Sequence, residues 1–218
     1  MRQKVSQLLY AYWNEVRAGR LAPRRLDIEP GRIADVLPDA LILERIDFET
    51  YRFRLAGTRL CEALGADVRG RNLLDLVYEE EDRITLERQC AAICKQAAVG
   101  VLTWRADFES SATADYEMVL HPLLHTSQTI DRLLGVMTPL IEPARLPAGR
   151  PLRWRLTGQA LIWPDGRPHQ IAGAMGSAMG HGQSPFADHI RRARIVRSDR
   201  RQFRVYDGGL AKPRDERP

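Results

Sequence analysis

Three cysteines, two closely spaced histidines and a run of four acidic residues carry the most evident chemical capacity in this sequence. Cys90 and Cys94 stand four apart. On a helix that is about one turn, and two thiolates so placed can share a metal. A zinc site needs about four ligands, however, and no histidine adjoins the pair. Both cysteines also fall on the apolar side of the helix they would occupy. A buried structural thiol pair is the better reading, and no metal site is expected. His121 and His125 flank Pro122 at the end of a strand-like run and point to the same side of an extended chain. The acidic run Glu79–Asp82 offers paired carboxylates. At a helix start such residues are better explained by the helix dipole. A nucleophile elbow, a phosphate loop and a metal-binding histidine pair are all missing. No catalytic residue is expected, and the chain reads as a non-enzyme.

Charge divides the chain unevenly. Residues 1–140 hold 18 Lys and Arg against 21 Asp and Glu, while residues 141–218 hold 15 against 7. The net charge of +5 is therefore a property of the tail. There the run Arg191–Arg204, with Phe203 and Tyr206, can meet phosphates and stack on bases. Charge runs of this kind are more often simply solvated. Few cysteines without framework spacing point to a reducing compartment. The first residues lack the pattern of a signal peptide, and no apolar run approaches bilayer length. The expected location is cytoplasmic, without membrane contact.

The elements that must position these residues centre on Tyr51–Leu60. Tyr51, Phe53 and Leu55 alternate with Arg52 and Arg54, the period of a half-buried strand. Gly57 suits a tight turn, Thr58 a helix cap, and Gly65 a left-handed helix end. Before this junction, Leu9, Tyr12, Trp13 and Val16 form an apolar stripe on a helix over about residues 3–18. That stripe has two candidate partners, its own domain and a second subunit. Ala40–Ile46 reads as a strand antiparallel to 51–56. Helices follow over 59–64, 72–77 and 80–98, with Gly100 as the stop of the last. Strands follow over 101–108, 114–124 and 131–140. Runs of like elements imply an α+β fold. Its expected core is a five-stranded antiparallel sheet with helices on one face, preceded by the amphipathic helix. The expected divisions are an N-terminal helix and entry segment (1–30), a domain (31–141) and a Pro- and Gly-rich basic extension (142–218). Within that extension 153–163 is a candidate further strand, and 171–185 suits a flexible linker.

Three motifs carry a family resemblance. They are YWNEVRAGRLAPRRLDIEP, the pair Leu37–Pro38, and RFRLAGTRLCEALGADVRG. In this order, over about residues 8–140, they resemble a bacterial, mostly alphaproteobacterial, family of short stand-alone PAS-like proteins. The resemblance implies a sensory or regulatory module acting through a small ligand or a protein partner in signalling. It brings no settled cofactor. Flavin-binding PAS relatives carry a cysteine in a motif of the Asn-Cys-Arg-Phe-Leu-Gln type, which RLCEALG around Cys61 lacks. PAS haem ligands come from the helical side, and residues 59–98 hold no histidine. The cofactor is left unassigned.

A concave space between sheet and helices is where such a domain holds a ligand. The candidate lining is Phe53, Leu55, Leu60, Cys61, Leu73, Leu76, Trp104, Met118 and Met137. It admits a small apolar or amphipathic ligand, or its side chains fill it and serve as core. The candidate interface of a homodimer is Leu9, Tyr12, Trp13 and Val16. A signalling protein is the other expected partner, with nucleic acid on the tail as the alternative.

Overall fold

The computed structural model describes residues 1–125, 129–166, 194–198 and 201–205, the last two ranges by their backbone only. Helix α1 spans Lys4–Arg17. It ends at Ala18, whose left-handed backbone closes it, so Gly19 lies one residue beyond the cap. A 3₁₀ segment over Pro30–Asp39 leads into strand β1, Ala40–Arg45, and its antiparallel partner β2, Tyr51–Ala56. Helix α2, Thr58–Leu64, follows at once. Its N-cap is Gly57 rather than Thr58, and Gly65 supplies the left-handed end. A 3₁₀ turn at Leu73–Leu76 and helix α3, Glu80–Gln96, complete the helical side. Strands β3 (Val99–Phe108), β4 (Thr113–Leu124), β5 (Ile130–Pro139) and β6 (Pro151–Ile162) follow.

The sheet is antiparallel throughout, in the order β2-β1-β5-β4-β3-β6. It has six strands where sequence led to five. The sixth is the segment 153–163, which pairs with β3 from Val99 to Phe108. It delivers Trp154 into the core beside Trp104 and Tyr116. The unit built on this sheet therefore continues past residue 141. The chain divides into two compact units, Met1–Gly173 and Ala174–Pro218. In the second, strands β7 (Arg194–Ser198) and β8 (Arg201–Val205) pair as an antiparallel hairpin. All of the expected linker, 171–185, and parts of the basic run lie outside the described residues.

Adjacent residues of one strand tell which helix covers which face. A Cβ placed on Gly100 would meet Ile93 of α3 at 2.3 Å and Leu120 of β4 at 4.0 Å. Leu120 therefore faces α3. His121, the next residue, lies against Trp13 of α1, with ring centroids 5.6 Å apart and the rings tilted by 43°. Successive side chains of a strand point to opposite faces. So α3 and α1 cover opposite faces of one sheet. Gly100 does not end α3, as its position in sequence suggested. Ala97 does so in a left-handed conformation, and Gly100 lies inside β3, where α3 packs too close for a side chain.

Candidate functional site

Of the residues read from sequence as a ligand lining, Phe53, Trp104, Met118 and Met137 share the α3 face of the sheet, while a bulge in the β1–β2 register turns Leu55 to the other face. Phe53, Leu60, Leu73, Trp104, Met118 and Met137 are buried, and Leu55, Cys61 and Leu76 are half-buried. They join one continuous core with Tyr51, Leu86, Cys90 and Ile93. Burial pushes the Cys94 thiol up to about 12 and the Cys90 thiol well above its usual range. Both stay protonated and unreactive at neutral pH. Among the described residues no cluster of three His, Cys, Asp or Glu is placed to hold a metal.

The α1 stripe lies against its own sheet. Leu9, Tyr12 and Trp13 are buried and Val16 is half-buried. Trp13 Nε1 donates to the carbonyl oxygen of Pro122 at 2.9 Å. The Tyr12 hydroxyl accepts from the Glu29 N–H at 2.7 Å. Trp13 is covered by the sheet and Tyr12 by the segment that holds Glu29 and Arg32, while Val16 stays half-buried. Arg17 anchors the far end of the helix. Its guanidinium reaches Asp165, just beyond β6, at 2.8 Å and lies over the Trp13 ring.

Beneath α1 sits His121, fully buried. Its Nδ1 lies 3.1 Å from the carbonyl oxygen of Leu134, which can only accept, so Nδ1 holds the proton. Nε2 has no partner. Burial lowers the imidazole to about 4, from 6.5 in an exposed histidine. The unfolded chain therefore binds this proton first as pH falls. Stability is complete above about 6.5 and is lost between there and about 4, by about 3 kcal/mol. Urea melts between pH 7 and 5 should show the slope. His121→Phe should flatten it, and an unchanged slope would assign it to other groups.

A second space opens where the sheet is uneven. β1 starts at Ala40, opposite Val136, while β5 runs on to Pro139. Past Val136, β5 has no strand on that flank. A cavity of about 630 Å³ occupies the notch. The sheet contributes Phe108, Tyr116, Met137 and Thr138, and α2 contributes Arg59, Glu62 and Ala63. Gln3 and Val5 enter from the start of α1, and the β5–β6 connection adds Ile141, Pro143, Leu146 and Pro147. Asp39, only 4% exposed, receives a two-pronged bond from Arg59 at 3.0 and 2.5 Å. The Thr138 hydroxyl is buried and unpartnered.

A family model described as a PAS domain matches residues 1–138. The chain belongs to the PAS domain family. PAS domains are sensory signalling modules, typically without catalysis. No curated protein matches the chain. Solved structures with a similar fold include the Rhodobacter sphaeroides LOV protein, at 17% identity and a TM-score of 0.38 over 46% of this chain. This chain spans 58% of that one. The light-state LOV domain of the blue-light photoreceptor Aureochrome1 shares 12% identity at a TM-score of 0.39, over 50% of this chain and 87% of that one. The PAS domain of an HTR-like protein from Haloarcula marismortui shares 18% at 0.35, over 53% and 95%.

Of the lining read from sequence, only Met137 borders the notch of this PAS domain. Asp39, Arg59, Glu62 and Thr138 were missed. Asp39 and Thr138 carry no periodic signal, since each is a polar residue beside a strand end. The one available hint was an acidic residue next to Ala40, twenty positions before an arginine at a helix start.

Proposed function

We propose that this PAS domain is a non-catalytic regulator that takes a small amphipathic molecule in the notch at the end of β5 and reports its presence through α1 to a partner protein. One observation carries the reading: Thr138, whose buried hydroxyl has no partner of its own, is among the residues that line a largely apolar cavity. Buried polar groups are nearly always paired, and an exception calls for an explanation. A ligand group would satisfy it. The route to α1 is short. Gln3 and Val5 line the cavity, and the Glu117 carboxylate accepts the N–H groups of Arg2 and Gln3 at 2.7 and 3.2 Å. A molecule bearing on Gln3 shifts the docking of the helix that starts there.

Native mass spectrometry of the full chain tests this. The purified protein should carry excess mass, or gain it with a small amphiphile, and Ala63→Phe should lose it by filling the cavity. No added mass from any source would overturn the proposal, as would binding undiminished in Ala63→Phe. Thr138→Val should leave the free protein as stable as the parent or slightly more so, because an unpaired buried hydroxyl contributes nothing. A loss above about 1 kcal/mol in urea melts would mean that Thr138 is already bonded.

A further inference from the structure

The polar groups in the notch differ in what they still have to offer, and this selects among head groups. Arg59 is the one basic residue in the lining, and Asp39 occupies both its Nε and Nη2. Asp39 is neutralised in the same pairing. Glu142, at the rim, lies 3.6 Å from Arg145. Arg150, between the lining residues Gly149 and Pro151, lies over Gly65 at the end of α2. Glu62 also lines the cavity, and among the described residues it makes no ion pair. Inside, the Thr138 hydroxyl is unpartnered, and its oxygen is free to accept as well as to donate. The remaining lining is mostly apolar, including Phe108, Met137, Ile141 and Leu146.

We infer that the ligand of this notch is a protonated amine on an apolar body, with its head group served by the Glu62 carboxylate and the Thr138 hydroxyl. The inference rests on the ligand-binding reading above and adds the chemical class. An ammonium offers three donors and no acceptor, which matches a carboxylate and a hydroxyl oxygen. A carboxylate would find the guanidinium charge already balanced by Asp39 and would meet Glu62 as a like charge. A neutral alcohol would satisfy Thr138 but bring no opposite charge to Glu62. The apolar body lies along the wall of the β5–β6 connection, and a cavity of this volume falls in the range that holds small ligands.

The test uses the full-length protein with octylamine, octanol and octanoate, titrated by calorimetry at pH 7 below their aggregation limits. Octylamine should bind about tenfold more tightly than octanoate, with octanol between them. Glu62→Gln should weaken octylamine by about fivefold at low salt and leave octanol unchanged, the size expected of an exposed charge. Added salt should do the same. Octanol or octanoate binding as tightly as octylamine, with all binding lost in Ala63→Phe, would overturn the amine assignment and leave the cavity reading standing. No binding by any of the three would overturn both. Undiminished binding in Ala63→Phe would place the ligands elsewhere and also overturn both. Leu146→Trp, from another wall, serves the same purpose if Ala63→Phe does not fold.

Discussion

Gly57→Ala is expected to be among the most damaging single-methyl additions in this protein, costing about 3 kcal/mol or more. The backbone angle is not the reason. Gly57 has φ −69°, which any residue adopts. Space is the reason. A Cβ there would stand 2.3 Å from the carbonyl oxygens of both Leu37 and Pro38. These are main-chain atoms at the entrance to β1, and a side chain's easy escape by rotation is closed to them. The Gly57 N–H is also tied to the Ala40 carbonyl oxygen at 2.8 Å, which fixes the approach from the other side. Relief requires moving the β1 entrance or the β2–α2 junction, and both carry the core. Urea denaturation of the variant reads the loss directly. A change below about 1 kcal/mol would show that the approach is looser than described.

Trp13→Ala is the second large effect, at about 4 kcal/mol. The side chain is fully buried between α1 and the sheet. Its removal leaves a void and strips the Pro122 carbonyl oxygen of its donor. That donor matters because Pro122 sits where β4 has run past the start of β3, whose pairing stops at Gly100 with Leu120. The Arg17 guanidinium loses the ring beneath it as well. The loss should be local first, with α1 loosening while the sheet keeps its pairing. His121 then gains water and titrates closer to 6.5, which an NMR titration of its ring protons would follow. A Trp13→Ala protein whose His121 still titrates near 4 would show that α1 remains docked without its anchor.

Much of this fold is legible in the sequence, for physical reasons that differ from element to element. Tyr51 and Phe53 alternate with Arg52 and Arg54 because one face of β2 is buried, though a bulge turns Leu55 to the other face, which a one-dimensional reading cannot show. The α1 stripe is equally plain, but periodicity says only that a face is covered, never by what. Trp13 and Leu9 serve the chain's own sheet, and nothing in their spacing distinguishes that from a dimer contact. β6 was harder to read because Trp154 is the one buried residue in it. An edge strand exposed along most of its length keeps little apolar rhythm. Gly57 reads as a turn glycine, while its actual constraint is contact with residues some twenty positions earlier. That contact joins two of the motifs on which the family resemblance rests. The notch lies furthest from reach. It arises from an offset between the ends of β1 and β5 and from the path of the β5–β6 connection, and neither leaves a trace in residue order.

β6 has a practical corollary for anyone dividing this protein into pieces. The sequence similarity ends near residue 138, which invites a cut soon afterwards. Such a cut would strip β3 of its outer neighbour from Val99 to Phe108 and withdraw Trp154 from beside Trp104 and Tyr116. The bared margin would offer a row of idle amides and carbonyls to any passing chain. Self-association of a fragment trimmed in this way would then report the missing strand rather than any natural assembly.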